Sequence, residues 1–212
     1  MTNLVPYLTQ NGVLMRILKS NSFLKKLGSK FFMLLLFQFH FSVIVNSQSV
    51  GKFFIINGTI EFSSKAALET IKANSKELKG LIDPVSHSVA FRVANNSFLG
   101  FNSQLQRDHF NENYMETDLY SNCTFTGKII DEVNFFKDGI YPVRAKGVLN
   151  IKGVSQERIV KGVIYIKDAE LFLTSEFFVS LSDHDIRIPR IVQQKIAPEI
   201  GVSLTAKMKV QK

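Results

Sequence analysis

The sequence predicts an all-β fold, about eight antiparallel strands closed into a barrel with one or two short helices. Three observations lead there. Apolar and polar residues alternate with period two in one stretch after another beyond Ser49, which puts one face of each strand inside and one in water. Turn signals separate these stretches: Asp83-Pro84, Lys137-Asp138-Gly139 and Lys167-Asp168-Ala169. Half-polar strands joined by hairpins form antiparallel sheets, and closing such a sheet removes its exposed edges.

Taken in order, the chain begins with an address. Arg16, Lys19, Lys25, Lys26 and Lys30 precede an apolar run from Phe31 to Val45, and small and polar residues follow. That order is expected of a secretory signal peptide spanning residues 1–47, cut after Ser47. Residues 1–14 then lie upstream of a true start at Met15. The apolar run is fifteen residues long and contains Gln38 and His40. A membrane-spanning helix needs about twenty, so an uncleaved anchor is the second choice. No cysteine follows the run, which excludes lipoprotein processing.

Residues 48–212 are expected to form one barrel domain. The first strand is expected to turn Phe54, Ile56, Gly58, Ile60 and Phe62 to one side. A short helix is expected from about Lys65 to Asn74, where Ser64 precedes Ala66 and apolar residues follow at Leu68 and Ile71. Val89, Phe91 and Val93 alternate with Arg92. The stretch FNSQLQRDHFNENYMET places Phe110 and Tyr114 one helical turn apart, a short helix or irregular turn between strands. Phe125, Gly127 and Ile129 then oppose Thr124, Thr126 and Lys128. Val143, Ala145, Gly147, Leu149 and Ile151 form the longest alternation. A turn is expected around Ser155 to Glu157, then strands at Val160–Ile166 and Leu171–Val179. Val202, Leu204, Ala206 and Met208 make the last inward face.

Composition narrows the function. The net charge is +8, but the five basic residues of the leading segment meet no acid there, and without them the chain carries only +3. No nucleic-acid surface is read from that. The chain has 19 Phe and no Trp, as suits a bulky core or an enclosed apolar space. The single cysteine, Cys123, has no disulfide partner and reads as a small apolar filler near a strand. Asn57, Asn95 and Asn122 head short glycosylation-type patterns that matter only in a eukaryotic source.

Two clusters invite a chemical reading. His109, Glu112 and Glu116 share a face if the segment is helical. Zinc-protease and diiron motifs need other orders and more histidines, so a hydrogen-bonded helix face is the better reading. Asp183, His184 and Asp185 are adjacent; in a strand they point to opposite faces, and a turn could gather them. No phosphate loop or nucleophile elbow is present. No enzyme, cofactor or metal site is expected.

Three stretches together resemble one family. FNSQLQRDHFNENYMETDLYSNCTFTGKI is similar to the segment of YceI-like proteins in which a histidine-containing turn precedes a strand with a Phe-x-Gly motif. GVLNIKGVSQERIVKGVIYI resembles the family's paired strands around Leu149, Ile151, Gly153 and Val154. LSDHDIRIPRIVQQKIAPEIGVSLTAKM resembles its C-terminal end, in the form of Bacteroidetes-type members. The likeness covers about residues 56–210. Ser121 stands where many members have a proline, and Ser155-Gln156 replaces the usual turn residues. The resemblance implies a lipocalin-like barrel, periplasmic or secreted, without a membrane span once the signal is removed. Its ligand would be an isoprenoid-type lipid held in the lumen.

The lining nominated for that ligand is Phe62, Phe91, Val93, Phe101, Leu105, Phe110, Tyr114, Phe125, Leu149, Ile151, Ile164, Phe177, Val179 and Leu204. Eight strands enclose either a packed core or one slim ligand, and the residues leave both open. Two further hypotheses therefore stand beside the lipid carrier. One is a structural or interaction module with a filled barrel. The other is a metal-dependent enzyme built on His109 with Glu112 or Glu116.

Overall fold

A closed antiparallel barrel is what the computed structural model shows, and it describes residues 51–211. The expected signal segment lies outside the described residues. Nine strands build the barrel: β1 (Lys52–Lys65), β2 (Thr70–Ser75), β3 (Lys79–Ile82), β4 (Ser88–Ala94), β5 (Asn122–Ile129), β6 (Gly139–Ile151), β7 (Val154–Lys167), β8 (Glu170–Ser180) and β9 (Glu199–Gln211). From β3 to β9 each strand pairs with the next, and β9 closes the ring on β1 from Lys52↔Gln211 to Ser63↔Gly201. The other edge of β1 meets β3 at its start and β2 at its end. β2 and β3 are thus two halves of one broken stave, and the barrel has eight staves. Above β3 the wall parts: beyond β1, β2 makes only the single bridge Asn74↔Leu99. The segment 95–121 fills that gap.

Alternation holds along β4 to β9. Val89, Val93, Ile129, Val143, Leu149, Ala206 and Met208 are all buried. The expectation fails for the first half of β1. A bulge between Ile55 and Asn57 shifts the register against β9, so Phe53 is buried while Ile56 is exposed. One extra residue reverses the facing of everything before it, and Gly58, Ile60 and Phe62 keep the expected side.

Two other expectations are corrected. No helix spans Lys65 to Asn74. β1 runs through Lys65, a turn closes with Ala66 N–H donating to Glu69 O (2.9 Å), and β2 follows. Leu68 is two-thirds exposed, so there is no apolar helix face to bury, whereas Ala73 and Ser75 turn inward with strand period. The β6–β7 turn is not at Ser155–Glu157. It is the two residues Lys152-Gly153, whose φ values of 51° and 76° are those a tight hairpin of right-handed twist requires.

One end of the barrel is sealed by the strands' own side chains. Phe53, Ile82, Ile129, Ile166, Leu171 and Met208 pack there with Val133 and Phe135 of the β5–β6 connection. The Phe53 and Phe135 rings sit 5.9 Å apart, and His87 meets Phe135 edge-on at 5.7 Å. Glycines keep the wall tight higher up. A Cβ on Gly147 would lie 2.3 Å from Thr126 O and 2.9 Å from the Phe125 ring, so the ring lies across bare backbone of the neighbouring strand.

Candidate functional site: a two-chambered lumen

The inward faces do not fill the barrel. A wide chamber of about 460 Å³ occupies the upper half, and a narrow one of about 100 Å³ lies below it, toward the sealed floor. Both are walled by Ile60, Val93, Cys123, Leu149 and Phe177, so these five side chains form a collar between them. The wide chamber falls within the size range of ligand sites, which are mostly apolar with few convergent polar groups.

All fourteen nominated residues stand on these walls. Phe91, Phe125, Ile164 and Leu204 line the narrow chamber, and Val93, Leu149 and Phe177 the collar. Phe62, Phe101, Leu105, Phe110, Tyr114, Ile151 and Val179 line the wide one. Leu105 is the outlier: it is exposed, at the rim rather than within. Sequence reasoning missed Ile60 and Cys123 at the collar, and Phe98 and Met115 above it. It also missed Leu181, Ile186, Val192 and Ile196, which come from the long β8–β9 connection. That connection carries its own signal, IRIPRIVQQKIAP, which is aliphatic yet too irregular for a strand.

The roof has two parts. The first is the crossing between β4 and β5. Its helix α1 (Gln104–His109) starts at Ser103, whose hydroxyl accepts from Gln106 N–H (3.2 Å), and runs into one π-helical turn, Phe110–Tyr114. Phe110 lies in a four-ring cluster. It stacks on Phe62 of β1 (5.4 Å, 18°) and meets Phe101 at 5.1 Å and Phe98 at 5.8 Å. The crossing is stapled at its roots by Asn95, which is fully buried. Its Nδ2 donates to Tyr120 O (2.6 Å), its N–H to Ser121 O (2.9 Å), and its Oδ1 accepts from the Cys123 thiol (3.0 Å). Asn95 is therefore no acceptor for a glycan in the folded chain.

The second part is the flap, residues 181–198. Ala197 N–H donates to Ser64 Oγ (2.9 Å) and Leu68 N–H to Gln194 O (2.9 Å), which tie it to the β1–β2 corner. Its stem is a 3-10 turn, Ser182–His184, rather than the strand considered from sequence. His184 is fully buried there with Nδ1 3.1 Å from Val154 O, while Asp183 and Asp185 stay exposed. Burial holds the His184 pKa below its usual value.

His109, Glu112 and Glu116 do not share a face. The helix widens at Phe110, His109 and Glu112 are exposed, and Glu116, at φ 46°, turns to pair with Lys152 (2.6 Å) across the β6–β7 turn. Among the described residues no three His, Cys, Asp or Glu side chains stand together as a metal site. Burial pushes the Cys123 thiol up to about 12, so it faces the lumen as a neutral, weakly polar group. Desolvation also raises Tyr114. Among the described residues no helix is long and apolar enough to cross a membrane.

Known proteins share this architecture. A polyisoprenoid binding domain from Saccharophagus degradans, implicated in plant cell wall breakdown, superposes with a TM-score of 0.62 at 12% identity, over 75% of this chain and 98% of that one. BcnA of Burkholderia cenocepacia gives 0.59 at 15%, over 71% and 95%. The Campylobacter jejuni YCEI protein gives 0.52 at 16%, over 66% and 84%. At these identities the likeness is one of fold. No curated protein sequence matches the chain. The YceI-like domain, however, matches as a family model from residue 21 to residue 208, and with that match this protein belongs to the YceI-like domain family.

Proposed function

We propose that this protein is an exported, non-enzymatic lipid carrier that holds an isoprenoid-type chain in its lumen, tail toward the floor and polar end toward the roof. The observation that carries the reading is the apolar chamber of about 460 Å³ with a narrower apolar extension below it. A slender chain fits that shape better than a compact ligand does. Each methylene taken from water contributes about 0.8 kcal/mol, so length and apolar fit supply affinity without many polar contacts. The Saccharophagus relative's description as polyisoprenoid binding supports the same ligand class. The non-enzymatic reading is supported by the lumen's polar groups. Cys123, the thiol at the collar, is held neutral by burial and donates to the Asn95 amide oxygen. Export is supported by the order of basic, apolar and small residues in 1–47.

The test is to express the full chain, purify it from the cell envelope and medium, and measure intact mass and solvent-extracted lipids. A chain shortened at its N-terminus and a stoichiometric isoprenoid-type lipid are expected. A barrel that comes out empty from every source, and takes up no prenyl lipid when offered one, would end the proposal.

A further inference from the structure

The flap differs in character from the rest of the roof. Its outer stretch, residues 186–198, carries Arg187, Arg190 and Lys195 and no acid, while the exposed acids Asp183 and Asp185 sit on its stem and Glu199 follows it. Its aliphatic side chains divide: Ile186, Val192 and Ile196 line the wide chamber, while Ile191 stands 90% exposed. Beside it is the β1–β2 corner, bonded to the flap through Leu68 N–H and Gln194 O (2.9 Å). Leu68 is 67% exposed, and Lys65 at the foot of this corner is exposed as well. Ile191 and Leu68 are therefore two exposed apolar tips on elements bonded to each other beside the wide chamber, with Arg190, Lys195 and Lys65 near them along the chain. Glu69, the acid on this corner, is occupied by the Asn102 and Gln106 amides (2.9 and 2.6 Å). The crossing, tied to this corner through Glu69, has the opposite sign, with Glu112 and Asp118 exposed.

We infer that this ridge of flap and corner docks the mouth of the barrel on a bilayer surface bearing anionic headgroups. The inference rests on the lipid-binding reading, because a chain that moves between bilayer and lumen at such a contact never crosses open water. Charge complementarity selects the occupant. Basic residues beside an anionic leaflet each strengthen binding about fivefold, and exposed aliphatic tips add by entering the interface.

The experiment is flotation of the barrel, residues 48–212, whose ring of strands closes entirely within the described residues, with phosphatidylcholine vesicles with and without phosphatidylglycerol. Binding is expected only with phosphatidylglycerol and is expected to weaken as salt rises. The double variant Arg190→Glu, Lys195→Glu should lower partition at least about twentyfold, from the loss of two basic contacts. Ile191→Asp and Leu68→Ser, both at exposed positions, should weaken it with near-ultraviolet circular dichroism unchanged. Phe136→Ser, exposed near the floor, should bind as the parent does. No binding to either vesicle, binding that ignores phosphatidylglycerol, or flap variants that bind like the parent overturns the inference. So does a flap-dependent protein complex formed without vesicle binding. Lipid extraction of the same preparations separates the two readings. Ligand without vesicle binding refutes the docking alone, and vesicle binding by a barrel that never holds lipid refutes the carrier alone.

Discussion

The floor and the mouth of this barrel are closed by different means. At the floor the strands themselves do the work. Ile166, Leu171 and Met208 are cross-strand neighbours on β7, β8 and β9, all nearly or fully buried, and the Phe135 connection completes the seal. At the mouth no strand closes anything. A helical crossing and an irregular flap lie over the opening. Asn95, Ser64, Glu116 and the Phe62 ring cluster hold them at a few points. Regions with few buried contacts open at low cost, and densely packed strands open only with the whole fold. Stability should therefore reside at the floor and access at the mouth.

Truncation at the floor is the strongest way to break that contrast. Leu171 is fully buried and touches no chamber, so Leu171→Ala should lower the unfolding free energy by about 2–5 kcal/mol, read by denaturant titration. A loss below about 1 kcal/mol would mean that the floor relaxes into the cavity above it and is not the rigid end.

The same contrast explains what was legible in the sequence. Staves β4 to β9 alternate cleanly because one face meets water and the other does not, and the nominated lining follows from that phase. The bulge at Ile56 was hidden because Ile55 and Ile56 are both apolar, so no polar residue marks the slip. β2 was misread because its inward positions include Ser75, which breaks the alternation, while Ala66 and Leu68 are good helix formers. The roof was only half visible. Phe110 and Tyr114 could be placed from helical spacing, but the flap's inward set follows no period. The presence of open space was not legible at all, since a filled core and an empty lumen ask for the same apolar residues.

His184 sharpens the comparison from the mouth side through pH. Nδ1 donates to Val154 O, and Nε2 is buried without a hydrogen bond, so a charged ring would lose its hydration with only the Val154 and Ile151 carbonyls to offset it. Arg158 opposes the charge as well, and Asp183 offsets it only in part. The folded pKa lies below the unfolded value near 6.5, so the unfolded chain binds more protons between the two. Stability is then complete above pH 6.5 and declines as pH falls toward the folded pKa. His184→Gln should flatten that decline. If the flap is the weaker part, hydrogen exchange in 181–198 should quicken on acidification before exchange in β7 and β8 does. Uniform quickening would show that mouth and floor open as one unit.

A smaller effect is expected at Glu116. Its pair with Lys152 links the end of the crossing to the β6–β7 turn, and the Lys152 side chain is largely buried. Glu116→Gln should cost about 1 kcal/mol, less at high salt, since half-exposed pairs are worth little and an abandoned, largely buried ammonium somewhat more. The change should raise exchange in 110–121 while leaving β8 untouched.

Leu105 should give the smallest change in stability and the cleanest separation of the two ends. It stands at the rim, 62% exposed, yet borders the wide chamber. Leu105→Ala removes little packing, so thermal unfolding should shift by less than about 0.5 kcal/mol. A bound chain leaving through the roof passes that side chain, so loss of a fluorescent prenyl probe should quicken in the variant. Leu171→Ala, with its much larger cost, should leave probe release nearly unchanged as long as the barrel stays folded. If release instead follows stability across both variants, the chain leaves only when the barrel unfolds, and the roof is no door.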